Sequence, residues 1–88
     1  MNKIDDLQID LAKHFHGINF KLTRPRNSDG LWTLDVMYRS RWLVVEWRDA
    51  QGFGISVIDD DTMYGEGPDE VHSNYNDALE RIGALLSA

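Results

Sequence analysis

The sequence predicts an α+β fold in two layers: an N-terminal helix, a three- to four-stranded antiparallel meander sheet and a C-terminal helix (α-β-β-β(-β)-α), with both helices on one sheet face. Three observations carry it. Apolar residues recur at helical spacing at both ends of the 88-residue chain, and they alternate through its middle. The links between the alternating runs are too short for parallel crossovers, so neighbouring strands run antiparallel. Amphipathic helices beside one sheet bury their stripes by packing on it. At this length the chain holds one core and therefore one domain, residues 1–88.

The first helix spans roughly 3–16. Ile4, Leu7, Leu11 and Phe15 form its stripe, Asp5 and Asp6 lie in its first turn, and Lys13, His14 and His16 lie near its end, as the helix dipole favours. Gly17 stands where a left-handed cap is expected. Ile18, Phe20 and Leu22 alternate with Asn19 and Lys21, a short strand whose membership of the sheet the sequence leaves open. Residues 24–30, Arg-Pro-Arg-Asn-Ser-Asp-Gly, are a loop by composition. A strand follows from Leu31 to Tyr38, with Trp32, Leu34, Val36 and Tyr38 on one face. Arg39-Ser40 reverses the chain into Trp42–Trp47, and Asp49-Ala50-Gln51-Gly52 reverses it again into Phe53–Ile58. Residues 59–73 read as a polar, acidic connection. Ser73 or Asn74 then caps a second helix striped by Tyr75, Ala78, Leu79, Ile82, Leu85 and Leu86.

If Leu34, Val36, Leu43, Val45 and Trp47 face the helices, then Met37, Trp42, Val44 and Ile58 occupy the opposite face. An uncovered antiparallel face is ordinarily polar, so this apolar row beside Arg39 and Arg41 predicts a contact surface or a homodimer interface. The alternatives are a phase error of one residue or a loop laid over the row.

Composition narrows the function classes. The chain lacks cysteine, which excludes disulfides, zinc–thiolate sites and a cysteine nucleophile. No stretch approaches the ~20 apolar residues of a membrane span, and the N-terminus is not a signal peptide, so the expected location is the cytoplasm. The net charge is -6. Residues 1–48 carry eight basic and six acidic side chains, whereas residues 49–88 carry nine acids and only Arg81. Such a surface repels phosphate backbones and favours a basic protein over DNA or RNA as partner; solubility alone is the plainer reading.

Catalytic constellations are sparse. Asp59-Asp60-Asp61 with Glu70 begins like a calcium-binding EF-hand loop, but Met63 and Tyr64 stand where an oxygen ligand and glycine belong; a looser site for magnesium or calcium stays open. His14 and His16, two apart on a helix, point in different directions and make no metal face. Ser56, His72 and an aspartate lack any nucleophile-elbow context. The pairs Gly52/Gly54 and Gly65/Gly67 lack the strand–loop–helix setting of a phosphate cradle and read as turns or close backbone approaches. No cofactor and no enzymatic activity are expected.

Asp59, Asp60, Asp61, Glu66, Asp69 and Glu70 place six acids in twelve residues, around Tyr64. Like charges held so close destabilise a fold, which predicts use against a positive partner, with Tyr64 and Trp42 as anchors; a solvated loop is the alternative.

The stretch Trp47-Arg48 … Gly52-Phe53-Gly54-Ile55-Ser56 … Tyr64-Gly65-Glu66-Gly67-Pro68-Asp69-Glu70 resembles a pattern in small uncharacterised acidic bacterial α+β domains. In size, acidity and architecture the chain is similar to immunity and antitoxin proteins, which block a cognate toxin, often by laying an acidic face over a nuclease's basic cleft. The resemblance implies a non-enzymatic inhibitor of a basic toxin and assigns no residue a role. A nucleic-acid mimic that occupies a nucleoprotein effector, and a self-associating accessory domain, are the alternatives.

Overall fold

A computed structural model describes residues 3–25, 30–48, 51–58 and 70–87. Helix α1 (Lys3–His14) leads into strands β1 (Asn19–Thr23), β2 (Trp32–Tyr38), β3 (Arg41–Arg48), β4 (Gly52–Ile58) and β5 (Glu70–His72), and helix α2 (Tyr75–Ser87) follows. The strands form one antiparallel sheet in sequence order, each paired with its chain neighbour. The short links from β2 to β3 and from β3 to β4 enforce that part of the order, since a tight hairpin can only place its strands side by side.

The sheet thus has five strands rather than three or four. Residues 19–23 do join it, pairing Phe20 with Val36 and Leu22 with Leu34. The added strand, β5, lies in what the sequence presents as an acidic connection; with three residues it is too short for alternation to reveal. The first helix also stops earlier, at His14, with Gly17 left-handed at φ 83°.

Side-chain alternation sorts the two faces. Leu34, Val36, Leu43, Val45, Trp47, Phe53 and Ile55 point to the helices and pack with Ile4, Leu7 and Leu11 of α1 and Ala78, Ile82 and Leu86 of α2. Phe53 is the largest fully buried side chain. Its ring lies 5.8 Å from that of Tyr75, edge to face, and 6.3 Å from that of Trp47. Tyr75 also joins the helices: its hydroxyl donates a 2.5 Å hydrogen bond to the Asp10 carboxylate of α1. Partial burial and that carboxylate together push the Tyr75 hydroxyl pKa well above its ordinary value.

Two reversals set the register. Arg39 adopts a left-handed φ of 57° between β2 and β3, an arrangement that costs a non-glycine residue about 1 kcal/mol, and its guanidinium lies 5.1 Å from the Tyr38 ring centroid. Between β3 and β4 the Gln51 amide donates to the Arg48 carbonyl at 3.0 Å, and Gly52 takes up φ 86°. A tight turn followed by a left-handed glycine is a common way to close a three-residue hairpin loop. The N-cap of α2 is Asn74, whose side-chain oxygen accepts from the Asn76 and Asp77 amides at 2.8 and 3.2 Å.

Candidate interaction surface

The register fixes what lies on the outer face of the sheet, away from the helices. Met37 of β2 lies opposite Trp42 of β3, and Trp42 opposite Ile58 of β4, so the three form one row across the sheet. Trp42 is 37% exposed, one of three large apolar side chains so exposed among the described residues, and Val71, also on this face, is 59% exposed. The next row, Lys21–Asp35–Val44–Ser56, differs. Its last three members are 8%, 5% and 6% exposed, which places a carboxylate and a hydroxyl in buried positions on the face opposite the core.

The expected contact residues separate. Asp59, Asp60, Asp61, Tyr64, Glu66 and Asp69 lie outside the described residues. Trp42 stands on the outer face. Glu70 does not share that face: it lies opposite Ile55, whose side chain points to the helices. Its carboxylate accepts hydrogen bonds from His72 Nε2 at 2.7 Å and from Arg81 Nε at 2.9 and 3.1 Å. The His72 bond first, and the Arg81 bond second, hold the Glu70 carboxyl below its usual range. This cluster fastens β5 to α2. The sequence spacing, two and eleven residues, gives no sign of it, because the three residues of β5 are too few to show a strand period.

A depression at the β3–β4 hairpin end is lined by Leu31, Glu46, Arg48, Gly52, Gly54 and Val71, among others. Its accessible volume is about 110 Å³. Arg48 Nε is buried and has no hydrogen-bond partner among the described residues. At the opposite end, a cleft of about 370 Å³ lies between the Arg39–Arg41 turn, Phe15, Tyr38 and the last residues of α2. That helix has no basic residue in its own last turn, so the turn arginines bring positive charge to the negative end of its dipole.

Among the described residues no group of three or more histidines or carboxylates is arranged to hold a metal ion, and no helix is long and apolar enough to cross a membrane. Comparisons with protein-family models, with curated proteins and with solved structures find no match to this chain.

Proposed function

We propose that this chain is a non-enzymatic binding protein that neutralises a basic partner, of the immunity or antitoxin type, in the bacterial cytoplasm. The supporting observation is the charge division of the sequence, nine acids against one base in residues 49–88, six of those acids within residues 59–70. Charge of one sign concentrated on one stretch steers a partner of the other sign and raises its association rate. Trp42 adds a half-exposed aromatic anchor of the kind that carries binding energy at interfaces. In this reading Asp59, Asp60, Asp61, Glu66 and Asp69 pair with the partner, and Tyr64 seats beside them. Glu70, held by Arg81 and His72, adds only to the local field. A nuclease toxin fits as the partner, because its substrate-binding cleft must itself be basic.

The test is affinity capture with the tagged protein from lysate of its own host, at low and high salt, followed by association kinetics with the captured protein. The expected result is one basic protein held at low salt and weakened by high salt. Reversing Asp60 and Asp61 to lysine slows association about tenfold or more at low salt and much less at high salt. Capture that ignores salt, or association that ignores the reversals, removes the reading. Recovery of nothing but the bait moves it to self-association through the Met37–Trp42–Ile58 row, which light scattering reads directly.

A further inference from the structure

The two edges of the sheet are built differently. Strand β5 has three residues, and its Glu70 and His72 are bonded to each other and, through Arg81, to α2. A short, charged edge of this kind is guarded against further pairing. Strand β1 has five residues, no proline and no bulge in its register with β2. The β2–β3 hairpin determines which backbone groups of β1 face outward. Tyr38 and Arg41 flank a two-residue turn and so exchange both backbone bonds, and alternation gives the bonds of Val36, Leu34 and Trp32 to β3 as well. Met37, Asp35 and Thr33 are left to bond Asn19, Lys21 and Thr23. The N–H and C=O groups of Phe20 and Leu22 therefore point away from the sheet, and no strand among the described residues lies on that side. Such a row of outward donors and acceptors is a template for another strand.

We propose that this edge receives β1 of a second copy of the chain, antiparallel, with Phe20 on the two-fold axis. The edge sequence selects its occupant. Ile18-Asn19-Phe20-Lys21-Leu22 alternates apolar and polar identically in either direction, the self-complementarity that an isologous contact requires. Turned about Phe20, the two strands set Phe20 against Phe20 and Ile18 against Leu22 on the helix side, where one copy leaves these side chains only half-buried. On the outer side they set Lys21 against the uncharged Asn19, both exposed. An axis at Lys21 would bring two ammonium groups directly opposite, and one at Leu22 would put Phe20 against Arg24, so both registers are disfavoured. Backbone bonds run reciprocally between the two Phe20 residues and from each Leu22 N–H to the Ile18 carbonyl of the other copy. The Ile18 N–H itself is already given to the Phe15 carbonyl. Charge permits the approach, because the acidic excess lies in residues 49–88 and Lys21 stands opposite Asp35 in its own sheet. The same Lys21 and Arg24, with no acid between them, make this edge a poor seat for a basic partner. An edge this short gives a contact below the ~1,000 Å² of a lasting interface, so the dimer is weak, with a Kd on the order of 0.1 mM.

The test begins with sedimentation of the full chain, whose mass should rise from 10.1 kDa at about 10 μM toward twice that at about 1 mM. Over the same range solvent exchange of the Phe20 and Leu22 amides, read by NMR, should slow about three- to tenfold, and that of the Lys21 amide, already bonded to β2, much less. The chain has no cysteine, so introduced thiols read the register. Asn19 of one copy and Lys21 of the other form a non-hydrogen-bonded pair with Cα atoms ~4.5 Å apart, within reach of a disulfide. An oxidised mixture of Asn19→Cys and Lys21→Cys should therefore yield the mixed dimer severalfold over either variant linked to itself, as counted by mass spectrometry. A mass that stays at 10.1 kDa up to about 1 mM overturns the proposal and leaves the edge to a strand of another protein. Exchange at Phe20 and Leu22 that ignores concentration, or self-linked products in excess, overturns it as well. So does a dimer that perturbs Met37, Trp42 and Ile58 instead, since its contact is the outer face. None of these results bears on whether a basic partner is captured, so the edge and the partner can fail separately.

Discussion

Gly52 meets two demands that no other residue type satisfies together. Its φ of 86° disfavours any side chain, and a Cβ there would lie 2.6 Å from the His72 carbonyl oxygen and 2.9 Å from the Ser73 Cα. Backbone atoms at that range cannot step aside as a flexible side chain would. Gly52→Ala should therefore lower stability by about 2–4 kcal/mol, combining conformational strain with the displacement of β5. The change is read as a shift of the urea midpoint at constant slope; a loss under about 1 kcal/mol would mean that β5 does not hold its place against the hairpin. Phe53 next to it tests the other face. Phe53→Ala empties the centre of the core and should cost about 3–5 kcal/mol. Val71→Ala, at a 59% exposed position, should stay within about 0.5 kcal/mol of the unmodified protein.

The elements differ in how plainly they announce themselves. Both helices are legible, because their stripes repeat over three turns and their ends carry punctuation in Gly17 and Asn74. Strands β2 to β4 are legible from alternation over seven or eight residues, and the Met37–Trp42–Ile58 row follows from the phase of that alternation. Strand β5 is not legible. Three residues give no period, and Glu70 reads as one more charge in an acidic run until α2 brings Arg81 beside it. Two measurements address these elements. Asn74→Ala should cost about 1 kcal/mol, since two amides of the first turn of α2 lose their acceptor. The Glu70 cluster acts through pH. With its carboxyl held below the usual 4.5 when folded, Glu70 contributes stability that is complete above that value and is lost as pH falls from there through the lowered folded value. Glu70→Gln should thus flatten the acid limb of the stability profile below the ordinary carboxyl value of 4.5. The effect is small because all three side chains remain partly in water.

At the scale of the whole molecule, every strand pairs with its neighbour in sequence, while the two helices meet across the full length of the chain. The bond from Tyr75 to Asp10 spans 65 residues. Hairpins are local and close quickly, whereas joining the helices requires closure of nearly the entire chain, an entropic cost on the order of 4 kcal/mol for a flexible loop of that length. Kinetics should divide accordingly, with the β2–β3–β4 meander forming first and the helices docking as a pair afterwards. In native-state hydrogen exchange, the central strand amides should persist longest and those of α1 and α2 should open sooner. An excursion in which the helices lift together leaves Leu34, Val45, Phe53 and Ile55 uncovered on a sheet that is otherwise intact. Such a species offers its sticky inner face to another copy, so variants that loosen the Tyr75–Asp10 tie should lose solubility on warming before their sheet melts.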